Sequence, residues 1–337
     1  FHSSNTMKPL FNIRPEQGNW TKEVDYALFS KGKSHGQWGV VRDIALQLCS
    51  SQNKRHPILK NPHSLVFTGD HGFINTYNSE SVGYSTQQRV LDFLNFRDPY
   101  SDVYRDFPGG IQWVDTGIEG DLHHQVDFWI HQEKRVLDRS VHRKTKNFFF
   151  EPSLTAQDFL TGLDYGSDVI STLQSKSCKV VFLSAMGMGS DWSSEVLFAA
   201  LTGETHHSNT PNSKAKLRRA LQKHPKSNDA FTLVNYFAGF ELVGLMGALL
   251  QAADFGMYVV IEGRVGHLAY YLSKMWYPQI SKFVGLVSNT EDSIERRILE
   301  LTESTSIANS LAPGFPGLAG PSVWAKLQTV LRLLNTV

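Results

Sequence analysis

The feature that most constrains the fold is a short apolar run that recurs along the chain and ends in glycine or in a small polar or acidic residue. Uninterrupted apolar runs of this length are typical of strands that are buried on both faces of a parallel sheet. Five such runs span residues 64–70, 111–117, 179–184, 257–263 and, less clearly, 282–288. The sequence therefore predicts a parallel sheet at the centre of the molecule.

Between these runs, apolar residues recur at the spacing of an amphipathic helix. Thr155, followed by Gln157 and Asp158, indicates a helix start, and Phe255-Gly256 indicates a helix stop. Strands that alternate with helices predict an α/β fold with a doubly wound, mostly parallel sheet flanked by helices. The predicted helices span residues 40–49, 86–96, 155–174, 193–201, 213–224, 239–253 and 293–302.

The two ends of the chain carry helical patterns without clear partner strands. We expect a large α/β domain over residues 50–290, which holds the active-site crevice, and a smaller, mainly helical domain formed by residues 7–49 together with 291–337. Met7 is the expected native start, because the residues before it lack the features of a signal peptide.

Charge and cysteine content exclude several classes of protein. The 337 residues carry 33 basic and 32 acidic side chains, a net charge of +1, which provides no basic surface for nucleic-acid backbones. The two cysteines, Cys49 and Cys178, are too few for a disulfide-stapled scaffold. Even the richest apolar stretch, residues 242–253, is too short to span a membrane. We therefore expect a cytoplasmic protein with neither nucleic-acid nor membrane partners.

Ligands of doubly wound sheets bind beyond the carboxyl ends of the strands. Asp70, Asp115, residues 184–190 and Glu262 all end or follow predicted strands, so we expect them to converge on one crevice.

The most informative of these segments is the glycine turn at residues 184–190. Gly187 and Gly189 let the backbone approach an anion, and the helix that follows offers its N-terminal amides to a phosphate. It is not a dinucleotide motif, since the third glycine would fall at Trp192. The same pattern is equally typical of a strand-to-helix connection without a ligand.

Several histidines are also candidates for chemistry. Asp70 and His71 combine a carboxylate with an imidazole, which suits substrate orientation or proton transfer, although aspartate is also an ordinary turn residue. The pairs at 123–124 and 206–207 lack the spacing of metal ligands. We expect both pairs in surface loops, and neither a metal nor a cofactor.

Several blocks of sequence then occur in the order and spacing of a known family. Val66-Phe-Thr-Gly-Asp-His-Gly72, Trp113-Val-Asp-Thr-Gly-Ile-Glu-Gly-Asp121 and Glu151-Pro-Ser-Leu-Thr155 are the clearest, and further blocks lie at residues 36–48, 81–94, 144–148, 238–241 and 259–263. Together they extend from about residue 10 to 330. They resemble the nicotinate-nucleotide:dimethylbenzimidazole phosphoribosyltransferases, which make the α-ribazole phosphate of the cobalamin lower ligand.

The resemblance implies a doubly wound large domain with a small helical domain, usually in a homodimer. It implies transfer of phosphoribosyl from nicotinate mononucleotide to a benzimidazole, a phenol or a related aromatic acceptor. The substrate-binding residues that it implies are Asp70, His71, Ser81, Met186, Gly187, Met188, Gly189, Ser190, Lys214, Glu241, Glu262 and Gly263.

This chain departs from the family at two carboxylates. The family places one glutamate in the glycine turn near the ribose and a second near the C terminus, where it acts as general base on the acceptor. These positions fall on Ala185 and about Ala312. The acids that remain as substitutes are Asp191, Glu262 and Glu303.

Two hypotheses within the family follow. The chain is either an active but divergent transferase or a non-catalytic member that binds ligand, as a homodimer or as a heterodimer with an intact homologue. An α/β nucleotide-binding protein outside the family is a third. An active enzyme requires a carboxylate within hydrogen-bond reach of the acceptor, and a non-catalytic member does not. We predict weak or no turnover of nicotinate mononucleotide with dimethylbenzimidazole.

Overall fold

The computed structural model describes residues 11–14, 18–30, 38–77, 84–125, 135–207, 211–223, 227–312, 315 and 317–335. In these residues seven parallel strands form one sheet in the order β3-β2-β1-β4-β5-β6-β7. The strands are β1 (His63–Gly69), β2 (Gly110–Gly117), β3 (Val136–Asp138), β4 (Val180–Met186), β5 (Tyr258–Glu262), β6 (Val284–Ser288) and β7 (Ser306–Asn309).

Helices cover both faces of the sheet. They are α1 (Trp20–Phe29), α2 (Val40–Gln52), α3 (Ile74–Tyr77), α4 (Thr86–Leu94), α5 (Leu122–Gln125), α6 (Ala156–Ser175), α7 (Ser190–Thr202), α8 (Pro211–Lys223), α9 (Ala230–Phe237), α10 (Phe240–Asp254), α11 (Gly263–Trp276), α12 (Ser293–Leu301) and α13 (Ala319–Asn335). Two 3₁₀ helices, Pro99–Tyr104 and Pro278–Lys282, precede β2 and β6. The predicted doubly wound α/β fold is confirmed.

Alternate side chains of the central strands pack into two apolar layers, one on each face of the sheet, because successive residues of a strand point to opposite faces. On one face, Phe67 and Leu183 pack with residues of α6, α7, α9, α10 and α11. On the other face, Phe182 and Val260 pack with residues of α1, α2 and α13. Helices α1 and α2 therefore meet the C-terminal α13 on this second face, while β7 joins the sheet as an edge strand.

The five predicted strands are present, and β3 and β7 are additional. With three and four residues, β3 and β7 are too short to show a periodic pattern. The prediction also missed α11, which begins at Gly263 directly after β5 without a linker. It started α7 at residue 193, whereas α7 begins at Ser190.

The predicted start and stop signals are confirmed. Thr155 caps α6 in a reciprocal box: its hydroxyl accepts from the Asp158 amide at 3.1 Å, and Asp158 accepts from the Thr155 amide at 2.8 Å. α10 ends at Asp254, and Gly256 follows with a φ of 68°.

Both cysteines are buried and free. Burial raises the pKa of the Cys49 thiol to about 12 and that of the Cys178 thiol to about 11, so both remain protonated and serve as apolar packing. Within the described ranges, every helix is too short or too polar to cross a lipid bilayer.

Candidate active site

A crevice lies where the winding of the sheet changes direction. β1 and β4 are neighbours, but from β1 the sheet continues to β2 on one side and from β4 to β5 on the other. The loops that follow two such strands leave in opposite directions and open a cleft between them. Asp70 follows β1, and the glycine turn at residues 187–189 follows β4.

Asp70 holds the glycine turn in place. Its buried carboxylate accepts hydrogen bonds from the Thr86 hydroxyl, from the Met188 amide at 2.9 Å and from the Glu119 amide at 2.7 Å. Burial raises the pKa of Asp70, and these three donors oppose the rise. One side chain thus joins α4 with the loops that follow β2 and β4, which makes Asp70 a positioning residue.

His71 and Glu241 form a buried pair beneath the turn. Nε2 of His71 lies 2.9 Å from Oε1 of Glu241, and both side chains are at most 1% exposed. The His71 amide donates to the carbonyl of Met188 at 3.1 Å. Neither residue lines the two cavities described below, so the pair supports the turn from behind.

Asp115 fixes the conformation of the loop that follows β2. Its carboxylate accepts from the amides of Gly117 and Ile118, each at 2.9 Å, and lies 3.1 Å from Nε2 of His123. It therefore shapes the segment whose Glu119 amide binds Asp70, but it does not line the crevice.

The glycine turn leads into α7 with its N terminus open. A Cβ at Gly187 would lie 1.6 Å from the carbonyl oxygen of Gly69, and Gly189 has a φ of 97°, so both positions require glycine. No side chain caps α7 in the described structure. The Ser190 hydroxyl is buried and has no hydrogen-bond partner among the described residues. Helix amides and a hydroxyl in this arrangement suit an anion.

Two adjoining cavities form the crevice. The first, which we call the alanine cavity, is lined by Ala185 and Ala312 together with Ser190, Glu262, Arg264 and Glu295. The two alanines come from β4 and from the segment after β7, about 130 residues apart in sequence. The structure therefore brings together the two positions at which the resemblance places glutamates.

The carboxylate of Glu262 accepts hydrogen bonds that have a structural role. Its buried carboxylate accepts from the Ser310 hydroxyl at 3.1 Å and from the amides of Gly317 and Ala319 at 3.2 and 3.0 Å. Burial raises the pKa of Glu262, and these donors oppose the rise. Glu262 thereby anchors the segment that carries Ala312 to the end of β5.

Glu295 is a second buried acid of this cavity. It accepts from the Asn289 amide at 2.7 Å, and burial raises the pKa of its carboxyl to about 8. Nδ1 of His267 lies 3.7 Å away, but burial lowers the pKa of His267 to about 4. At neutral pH, Glu295 is protonated and His267 is neutral, so the two do not form an ion pair.

Arg264 is committed to neighbours within the cavity. It binds Oδ2 of Asp292 through Nε at 2.9 Å and Nη2 at 2.7 Å, and it donates to the Asp191 carbonyl at 3.1 Å. The Asp191 side chain is exposed and lines both cavities.

The second cavity, the aromatic pocket, is lined by Phe73, Tyr84, Thr86, Arg89 and Trp192 together with the glycine turn. The rings of Phe73 and Trp192 lie 5.1 Å apart, and both pack against Phe148. Arg89 and the turn line both cavities, so the aromatic pocket opens into the alanine cavity.

Two further predicted site residues, Lys214 and Glu303, lie outside the crevice. Ser81 is outside the described residues. Lys214 is exposed on α8 and lines neither cavity. Glu303 lines a separate cavity together with Asp43 and Lys274.

The expectation that both histidine pairs lie in surface loops does not hold for His123 or for His207. His123 belongs to α5 and contacts Asp115. His207 is buried, and its Nε2 lies 3.2 Å from Oε2 of Glu204. With His206, these groups place three ligand-type atoms within 4.8 Å of one another. Arg297 already binds the Glu204 carboxylate at 3.0 Å, and a metal ion would have to displace that guanidinium.

Sequence reasoning missed Arg89, Arg264, Glu295 and Phe315, all of which line the alanine cavity. The predicted helix over residues 293–302 includes Glu295, but no local pattern showed that the start of this helix faces the crevice.

Together, the fold and the site define a doubly wound α/β protein with an uncapped helix N terminus and a crevice at its topological switch point. The family described as phosphoribosyltransferase, DBI_PRT, matches residues 13–309. The chain belongs to this phosphoribosyltransferase family.

Similar proteins cover nearly the whole chain. The nicotinate-nucleotide–dimethylbenzimidazole phosphoribosyltransferase of Bacteroides fragilis is 23% identical over 90% of this chain and 89% of its own length. That of Photobacterium profundum is 24% identical over 88% of both chains. The crystal structure of CobT from Thermus thermophilus is similar in fold, with a TM-score of 0.80 at 19% identity, over 94% of this chain and 96% of that one.

Proposed function

We propose that this chain binds a nicotinate-type mononucleotide and an aromatic acceptor in the crevice, as a phosphoribosyltransferase of cobalamin lower-ligand assembly. We further propose that it transfers phosphoribosyl from nicotinate mononucleotide to dimethylbenzimidazole weakly or not at all. One observation carries both statements: Ala185 and Ala312 line the same cavity as the open N terminus of α7.

The binding half of the proposal rests on complementary chemistry in two joined cavities. The α7 amides and the Ser190 hydroxyl suit a phosphate, because the helix dipole and unpaired donors favour a negative group there. Phe73 and Trp192 offer apolar faces to a flat ring. Asp70 and the His71–Glu241 pair, which the resemblance assigns to substrate binding, act by holding the turn.

The catalytic half concerns the proton of the acceptor. When a benzimidazole nitrogen attacks the anomeric carbon and the nicotinate ring leaves, the acceptor releases its ring N–H proton to a base. A missing general base costs on the order of 10² to 10⁴ in rate. The carboxyl of Glu262 is engaged by three donors, and that of Glu295 is protonated at neutral pH. Neither stands ready to take the proton. Of the expected substitutes, Asp191 lines both cavities, but its side chain is exposed to solvent.

A second candidate function is that of a non-catalytic, ligand-binding partner. It is favoured because the turn, Asp70 and the open α7 terminus are present while the two family carboxylates are not. Such a chain pairs with an intact homologue in a heterodimer or with itself in a homodimer.

Two measurements test the proposal. Isothermal titration calorimetry is expected to show binding of nicotinate mononucleotide, and chromatographic detection of α-ribazole phosphate is expected to show little product. Binding without product in the single chain, with product after mixing with an intact homologue, identifies the partner role. Ordinary turnover by the single chain would contradict the loss of base catalysis, and absent binding would contradict the crevice assignment.

A further inference from the structure

Arg89 stands at the junction of the two cavities. It projects from α4 and lines both the alanine cavity and the aromatic pocket, with its side chain exposed at the mouth of the crevice. Within the described part of the chain, its guanidinium makes neither a hydrogen bond nor an ion pair. Arg264 differs, because Asp292 and the Asp191 carbonyl already hold it. Arg89 is therefore the cation that remains for a ligand.

The described acids that line the alanine cavity do not form an ion pair with Arg89. Glu262 is bound by the Ser310 hydroxyl and two amides, and Asp292 is paired with Arg264. Glu295 carries a proton at neutral pH because burial raises its pKa to about 8. The exposed Asp191 lies close enough to Arg264 to raise the pKa of that guanidinium.

The walls around Arg89 are aromatic. Phe73, Tyr84 and Trp192 line the pocket on one side of the glycine turn. On the other side, Phe315 lines the alanine cavity and packs 4.5 Å from the ring of Tyr100. This junction suits a ligand with a flat ring and a negative group, since a guanidinium binds a carboxylate through two parallel hydrogen bonds.

We propose that the aromatic acceptor of this crevice carries a ring carboxylate, and that Arg89 binds it. The inference rests on the proposed function, because it specifies the acceptor of that same site. It also explains the two alanines together: carboxylates at 185 and 312 would repel an anionic ring, whereas methyl groups do not. Arg89 is thus a specificity-determining residue.

The test compares benzimidazole with benzimidazole-5-carboxylate by calorimetry at pH 7. The wild-type chain is expected to bind the carboxylate roughly 10- to 100-fold more tightly, which is the range for a hydrogen-bonded charge pair. Arg89→Gln should lower the affinity for the carboxylate to that for benzimidazole, so that the preference is lost. Arg97→Gln, in an exposed arginine just beyond α4, is the matched control and should bind as the wild type does.

Equal binding of the two rings by the wild type, or equal weakening of both by Arg89→Gln, would overturn the inference. Nicotinate mononucleotide is titrated into the same three proteins to separate the two proposals. If the wild type does not bind the mononucleotide but prefers the carboxylated ring, the proposed function fails and the role of Arg89 stands. If Arg89→Gln weakens mononucleotide binding and leaves ring preference intact, Arg89 binds the donor instead, and the inference fails.

Discussion

Glu295 should make the stability of this protein fall as the pH rises. Burial raises the pKa of its carboxyl from 4.5 to about 8, with the Asn289 amide and Arg264 opposing the rise and Asp292 and Glu262 adding to it. The folded state therefore holds the proton more tightly than the unfolded state does, and the contribution of Glu295 to the free energy of unfolding decreases between about pH 4.5 and pH 8. At 1.36 kcal/mol per pKa unit, the full effect is roughly 5 kcal/mol.

The substitution Glu295→Gln isolates this effect. Glutamine resembles the protonated carboxyl and keeps an oxygen for the Asn289 amide, but it does not titrate. We expect the variant to exceed the wild type by less than about 1 kcal/mol at pH 5 and by up to about 5 kcal/mol at pH 9. Burial lowers the pKa of His267 from 6.5 to about 4, so His267 also contributes to the pH dependence, but both proteins carry it and its contribution cancels in the difference.

Urea unfolding at five pH values from 5 to 9, followed by tryptophan fluorescence, measures the difference. Glu291→Gln, in an exposed residue of the loop that precedes α12, is the control and should show no such trend. A stability difference between Glu295→Gln and the wild type that is the same at every pH would refute the reasoning.

Three further predictions concern the glycine turn, its hydrogen bonds to Asp70, and the N-terminal cap of α6. Gly187→Ala should lower the free energy of unfolding, measured in urea, by at least about 2 kcal/mol, because the new Cβ would meet the Gly69 carbonyl. The control Gly203→Ala should cost about 1 kcal/mol, because Gly203 has a φ of 77° but open space around it. Asp70→Asn should weaken mononucleotide binding about tenfold in calorimetry, because the NH₂ group of the asparagine would face the backbone N–H of Met188 or of Glu119 and could not accept its hydrogen bond. Unchanged binding would show that the turn does not depend on Asp70. Thr155→Ala should cost about 1 kcal/mol through loss of the capping box and leave mononucleotide binding unaltered.

The fold was predictable because its central strands are buried on both faces and therefore read as uninterrupted apolar runs. β3 and β7 lie at the edges of the sheet and are too short to show a pattern. The division into a large domain and a smaller helical one, and the dimer, remain predictions.

The candidate site was predictable only where it is local. Asp70 and the glycine turn each follow a strand, so their place at the crevice follows from topology. Arg89 and Glu295 lie about 200 residues apart in the sequence, and the raised pKa of Glu295 results from burial that no short motif encodes. Glu303 lies away from the crevice because it follows the C-terminal end of α12, whereas Glu295 is in the first turn of that helix.

The central claim is that two alanines in one cavity remove the acid–base chemistry of the family. The most direct measurement is the rate of α-ribazole phosphate formation by the double variant Ala185→Glu with Ala312→Glu, beside the wild type. A matched control places glutamates at two exposed helical alanines, Ala215 and Ala325. We expect a gain of at least about 100-fold over the wild type in the double variant and none in the control. Ordinary turnover by the wild-type chain, without further gain in the double variant, would contradict the account.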